Sequence, residues 1–173
     1  MIMRDISSDL RELAEHVLAV CRTENILLAT AESCTGGLIA ATLTAIPGSS
    51  DVVDRGFVTY TNAAKHDMIG VPMDLFDSVG AVSKEVAGAM AKGALVQSNA
   101  DIAVSVTGVA GPGASERKPA GLVFIGIASR TAAIQVEECH FDGDRDAVRH
   151  ATVLKALTLV LRTIDTGGRT LMS

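Results

Sequence analysis

The stretch Ile26-Leu27-Leu28-Ala29-Thr30-Ala31-Glu32-Ser33-Cys34-Thr35-Gly36-Gly37 decides how the chain folds. Its first six residues form a short apolar run that reads as a buried strand. A hydroxyl- and glycine-rich turn follows at 33–37, and the apolar segment 38–46 then reads as a helix stopped by Pro47-Gly48. A strand that turns straight into a helix is the building unit of an α/β sheet. Upstream, Leu10, Leu13, Ala14, Val17, Leu18 and Cys21 recur at helical spacing, so 7–21 predicts an amphipathic helix opened by Ser7 or Ser8. Downstream, 56–60 reads as a second strand. Thr61 or Asn62 caps a short helix through Ile69 that Gly70 and Pro72 stop, and Ser83 caps a longer helix over 84–97. Residues 101–106 form a strand that runs into Gly108-Val109-Ala110-Gly111-Pro112-Gly113. The polar piece Ser115-Glu116-Arg117-Lys118-Pro119 reads as an exposed loop. Strands at 121–129 and 133–141 lie close enough in sequence for an antiparallel hairpin, and Asp144 caps a last helix over 145–164. Helices interleaved with strands, then a hairpin, predict one α/β domain: a three-layer α/β/α sandwich on a mixed β-sheet. That domain spans 1–173, with about 1–6 and 166–173 expected to fray.

With 173 residues, 48% of them hydrophobic and 20% charged, the chain can bury a sizeable core but leaves little room for a second domain. Fifteen Lys and Arg against 20 Asp and Glu give a net charge of -5. That balance argues against a general nucleic-acid or membrane-surface binder, because both need a basic field. Aromatics make up 3%, with no Trp and one Tyr, so no stacking platform for single strands is expected. Cys21, Cys34 and Cys139 show no zinc-knuckle or redox-pair spacing, and His16, His66, His140 and His150 form no HExxH pattern. No metal and no cofactor is expected. The N-terminus carries charge early and lacks a signal-peptide apolar stretch, and the longest apolar run, near 122–128, falls far short of a membrane span. The expectation is a cytoplasmic protein. A homo-oligomer is expected too, on the ground that a long apolar helix in such a chain hides a face.

Four segments can carry chemistry. The first is Glu32-Ser33-Cys34-Thr35-Gly36-Gly37, at a strand end, where α/β sheets bind ligands. Free amides at the helix start can hold an anion or an oxyanion. Ser33 stands at the mouth with Cys34 beside it as a rival nucleophile, yet Ser33 or Thr35 serves equally well as a plain N-cap. The pattern is neither a Walker A loop nor a Gly-x-Ser-x-Gly elbow. The second is Tyr60-Thr61-Asn62-Ala63-Ala64-Lys65. A lysine there can activate a serine if its pKa falls close to neutrality, a differential of roughly 4 kcal/mol; otherwise it lies solvated along a helix surface. The third, 105–113, is a glycine-rich loop whose amides approach a ligand closely, or else a tight turn. The fourth is Gly143-Asp144-Arg145-Asp146-Ala147-Val148-Arg149, with Arg145 and Arg149 four apart on one helix face. Cations at a helix N-terminus oppose the macrodipole, a conflict that a bound phosphate removes. Pairing with Asp142, Asp144 and Asp146 removes it as well. No single segment decides the matter. Together they gather a hydroxyl nucleophile, a candidate base, glycine loops and a phosphate clamp at one sheet edge, which predicts an enzyme acting on a small phosphate ester.

The segments AESCTGG (31–37), GFVTYTNAAKHDMIGV (56–71), GAVSKEV (80–86), SVTGVAGPG (105–113) and GDRDAVR (143–149) resemble the CinA C-terminal-domain family. This is the nicotinamide mononucleotide amidohydrolase family of competence-damage-inducible proteins, and five ordered motifs carry the resemblance over about 7–164. Longer members have an N-terminal nucleotide-processing domain with no counterpart here, so a stand-alone form is expected. The resemblance implies metal-independent hydrolysis of the carboxamide of nicotinamide mononucleotide, giving nicotinate mononucleotide and ammonia. It implies Ser33 as nucleophile, Lys65 as its base and then as acid toward ammonia, and Tyr60 as the residue orienting that pair. Cys34, Thr35, Gly36 and Gly37 would contact the substrate, with the amides around the last three meeting the oxyanion. Thr107, Gly108 and Gly111 would line the substrate, and Arg145 with Arg149 would hold the 5′-phosphate. The loop Gly111-Pro112-Gly113-Ala114-Ser115 departs from the longer acidic glycine run of many relatives. Two other readings stand beside this one. The first is a pyridine-nucleotide-binding regulatory module without chemistry, and the second is an enzyme with Cys34 as nucleophile.

Overall fold

In the computed structural model, which describes residues 6–170, the strand of the opening stretch is β1 (Leu28–Glu32), buried at every residue. It lies between β2 (Val53–Val58) and β3 (Ile102–Gly108), parallel to both, with Leu28 opposite Val53 and Ile102. β4 (Leu122–Ser129) and β5 (Gln135–His140) continue the sheet as the expected antiparallel hairpin, in the order β2-β1-β3-β4-β5. The three parallel strands therefore end at one sheet edge, where the chain leaves β1 at Ser33, β2 at Thr59 and β3 at Val109.

Successive strand residues face opposite ways, and here the two faces differ in size. Leu28, Ile102, Val104 and Ile125 meet α1 (Ser8–Glu24), α2 (Leu38–Thr44) and α6 (Arg145–Thr170) in the larger core. Ala29, Ala31 and Ala103 meet α3 (Asn62–Ile69), α4 (Met73–Ser78) and α5 (Lys84–Val96) on the other face. One sheet serves both cores, so this is a single-domain α/β/α sandwich.

The small-residue face lets α5 come close. A Cβ on Gly126 would stand 2.5 Å from the Ala87 carbonyl oxygen, and one on Gly93 only 1.9 Å from that of Ile69. Gly93 thus seats α5 against the C-terminal end of α3, the helix that carries Lys65. Gly93→Ala should overpack this contact and cost about 2 kcal/mol. A denaturant midpoint equal to wild type would show that the close approach is dispensable.

The caps read from the sequence form as expected at Thr61, Ser83 and Asp144, whose oxygens accept the amides of Ala64, Val86 and Ala147. Two stretches differ. Pro72, read only as a stop, also opens α4, because its fixed φ suits a helix start. The last helix continues six residues past Ile164 to Thr170, so 166–170 are helical rather than frayed. Gly167 falls inside it, since an interior glycine costs a helix only about 1 kcal/mol. The fraying expected at 1–5 and 171–173 lies outside the described residues. Among the described residues, no helix is long and apolar enough to cross a membrane.

Candidate active site

Neither Ser33 nor Thr35 caps α2. The chain leaves β1 at Ser33, whose amide still bonds the Val106 carbonyl, and turns through Gly36 (φ 60°) and Gly37 (φ 101°). Those left-handed dihedrals are why the turn needs glycine. Glu32 does the capping instead. Its fully buried carboxylate accepts the amides of Ile39 (2.8 Å) and Ala40 (3.0 Å) and the Thr35 hydroxyl (2.6 Å). A negative charge at a helix N-terminus is favourable. The first helix amides are therefore taken before any ligand arrives, which corrects the expectation that the helix start itself holds an anion. Sequence reading passed over Glu32 because its cap reaches forward seven and eight residues, outside the usual capping spacing.

Released from capping, Ser33 faces Lys65. The Lys65 ammonium donates to Ser33 Oγ at 3.0 Å and to the carbonyls of Thr59 (2.9 Å) and Tyr60 (3.3 Å). Lys65 is 1% exposed, so the solvated-lysine alternative does not hold. Burial lowers its pKa from 10.5 to about 8. A neutral amine keeps two N–H groups and one lone pair. With the two carbonyls taking the N–H groups, the lone pair is left to the Ser33 hydroxyl proton, the arrangement of a nucleophile with its base.

Cys34 is buried beside this pair, and burial pushes its thiol up to about 12. The thiolate is the reactive form of cysteine, and at neutral pH this one is absent. Cys34→Ala is accordingly expected to keep turnover within a few-fold. A loss beyond a hundredfold would move the nucleophile to the sulfur.

A cleft of about 300 Å³ opens over Ser33 and Lys65, at the small end of the range for ligand sites. Cys34, Tyr60, Thr107, Gly108, Gly111 and Arg145 also line it. Four other residues expected at the substrate do not. Thr35 is buried against Glu32, Gly36 and Gly37 shape the turn behind the wall, and Arg149 braces that turn by donating to the Thr35 carbonyl at 2.9 Å. The Tyr60 phenol does not touch the Ser33–Lys65 pair; its hydroxyl accepts from Arg145 at 3.1 Å, and only its carbonyl meets Lys65. Arg145 also donates to the Gly111 carbonyl at 2.6 Å and pairs with none of the neighbouring aspartates among the described residues. At Gly108 a Cβ would stand 2.8 Å from the Leu122 carbonyl, so the backbone forms this part of the wall.

Sequence reading missed Asn62 and Glu116 on the cleft wall. The segment 115–119 is an exposed loop as expected, apart from half-buried Lys118, and it folds back through a Ser115–Lys118 bridge. Glu116 there accepts the Ala81 amide at 3.1 Å, and Lys118 donates to the carbonyls of Val79 and Val82. Among the described residues no group of three or more His, Cys, Asp or Glu side chains gathers as a metal site would.

The fold and the cleft together define a three-layer α/β protein with a serine–lysine pair at the C-terminal edge of its parallel strands. The family model described as CinA C-terminal domain matches residues 10–164, and the chain belongs to that family. It is 48% identical to the nicotinamide-nucleotide amidohydrolase PncC of Pseudomonas putida, over 92% of this chain and 98% of that one. With the protein of the same name from Enterobacter agglomerans it shares 46% identity, over 88% and 94% of the two chains. The chain spans 38% of the length of longer relatives, among them two Caldicellulosiruptor proteins and the CinA-like protein of Geobacter metallireducens. The crystal structure of competence/damage inducible protein CihA from Agrobacterium tumefaciens superposes with a TM-score of 0.88 at 47% identity, covering 94% of this chain and 99% of that one.

Proposed function

We propose that the chain hydrolyses the carboxamide of nicotinamide mononucleotide, giving nicotinate mononucleotide and ammonia. The observation that carries this reading is the buried Lys65 amine 3.0 Å from Ser33 Oγ, at the floor of a cleft whose rim holds Arg145. The names of the Pseudomonas and Enterobacter relatives support the substrate. In the cycle, neutral Lys65 takes the Ser33 proton as Oγ attacks the carboxamide carbon. Backbone amides of the Ser33 turn meet the oxyanion, apart from that of Gly36, which is already bonded to the Ser33 carbonyl. Lys65, now an ammonium, returns its proton to the departing nitrogen, which leaves as ammonia, and an acyl-enzyme remains. Lys65 then takes a proton from the water that attacks the ester carbon, the bond from that carbon to Oγ breaks, and Lys65 gives the proton to Oγ, so Ser33 is restored as nicotinate mononucleotide leaves. Arg145, which pairs with no carboxylate among the described residues, holds the 5′-phosphate, a group that guanidinium matches well. No step in this cycle requires a metal. The three cysteines are free and buried, which suits a cytoplasmic setting.

The test is ammonia release from nicotinamide mononucleotide by purified protein with a metal chelator present. Sustained release supports the reading. No release overturns it and leaves a nucleotide-binding module, which calorimetry with pyridine nucleotides would then address.

A further inference from the structure

Among the described residues one aromatic side chain lines the cleft, that of Tyr60. The chain has no Trp, and none of its four Phe borders the cleft. Tyr60 touches both working ends of the site. Its carbonyl accepts from the Lys65 amine at 3.3 Å, and its hydroxyl accepts from Arg145 at 3.1 Å. The ring therefore spans the interval between the reacting pair and the guanidinium at the rim. Tyr60 is 57% exposed although both of these groups are bonded, so much of the ring stands open while its two ends are held.

Resting on the amidohydrolase reading, we propose that the Tyr60 ring packs against the pyridinium of the substrate and so selects the oxidised nucleotide over its reduced, dihydropyridine form. A nucleotide with its carboxamide at Ser33 and its phosphate on Arg145 lays its base and ribose along the interval that Tyr60 covers. The glycosidic bond quaternises the ring nitrogen, so the oxidised base is a flat cation. The negative face of a phenol ring attracts such a cation, a contact worth about fivefold in affinity at a partly exposed site. Hydride addition to the base removes that charge and leaves carboxamide, ribose and phosphate in place. The two forms therefore differ at the group that meets Tyr60. Lys65, Arg145 and Glu116 also act on the charge of the base, but all three persist in a Tyr60 variant. A change in the ratio of the two affinities thus reports on residue 60. Tyr60 is a specificity determinant, and its ring takes no part in bond making.

The experiment is calorimetric titration of nicotinamide mononucleotide and of its reduced form into Ser33→Ala protein, which holds the substrate without consuming it. The same titrations follow with Tyr60→Leu and with Tyr60→Phe added. Tyr60→Leu should lower the ratio of oxidised to reduced affinity about fivefold, and Tyr60→Phe should leave it within about twofold. The Phe variant keeps the ring and loses the bond to Arg145, so it separates the two functions of the side chain. A ratio that Tyr60→Leu leaves unchanged overturns the proposal, even if both affinities drop together. Equal falls in Leu and Phe overturn it too, because they assign the effect to the hydroxyl. A second readout needs no further variant. With one Tyr and no Trp in the chain, tyrosine emission comes from residue 60 alone and should fall as nicotinamide mononucleotide saturates the site. Constant emission at calorimetric saturation would place the base away from the ring. If neither nucleotide binds while Tyr60 is intact, the substrate reading itself falls, and this inference falls with it.

Discussion

Replacing Ser33 with alanine should reduce ammonia release from nicotinamide mononucleotide by about 10⁴-fold or more, while its dissociation constant stays within a few-fold of wild type. The asymmetry is what makes the result informative. Among the described residues Ser33 Oγ holds one hydrogen bond, with Lys65, and its removal leaves Arg145 and the glycine-lined wall in place. Ground-state binding therefore survives, whereas the covalent route is closed. Cys34 cannot take over, because its buried thiol carries no charge at neutral pH. Ammonia assay and calorimetry on the same preparation separate the readings. Lost turnover with retained binding marks an enzyme with a serine nucleophile, and turnover near the wild-type rate would refute that assignment.

Lys65→Met, which keeps the length and volume of the side chain, should lower kcat/KM by about 10³-fold. The pH profile is the sharper readout. Only the neutral amine accepts the Ser33 proton, so wild-type kcat/KM should rise about tenfold per pH unit up to about 8 and level off above it. In the variant that limb should vanish. Stability carries a matching signature with a fixed sign. Lys65 titrates near 8 when folded and near 10.5 when unfolded, so between those values the unfolded chain binds a proton that the native chain lacks. Wild-type stability thus rises with pH through that window, and below it the buried ammonium costs the fold about 3 kcal/mol. The difference in unfolding free energy between wild type and Lys65→Met should shift by about that amount, in favour of wild type, between pH 7.5 and pH 10.5. A flat difference would mean that Lys65 titrates as an ordinary lysine.

What the sequence made legible is what local chemistry controls. Strand β1, the hairpin and the caps at Thr61, Ser83 and Asp144 each depend on residues close together in the chain. The Ser33 turn could be found for the same reason. What escaped depends on contacts between distant segments. The burial of Lys65 follows from the packing of α3 at the sheet edge, which no window around Lys65 reports. Tyr60 meets Lys65 through its carbonyl, while its hydroxyl accepts from Arg145, 85 residues away, a contact that no local pattern announces. Glu116 does lie in a solvated loop, and its place on the cleft wall was missed because it comes with a bond from the Ala81 amide, 35 residues earlier. Arg149, expected on the phosphate, acts 114 residues back on the Thr35 carbonyl.

That last contact bears on how the protein comes into being. Ser33 lies far ahead of α6 in the chain and leaves the ribosome well before that helix does. Yet the opening turns of α6 supply both Arg149, which braces the Ser33 turn, and Arg145, which completes the cleft rim. Domains are made from the N-terminus onward at a pace of about 5–20 residues per second. For several seconds a nascent chain therefore carries its serine without the frame that arms it. A chain that stalls short of α6 lacks both contacts, so the Ser33 turn and the cleft rim are complete only once that helix has been made.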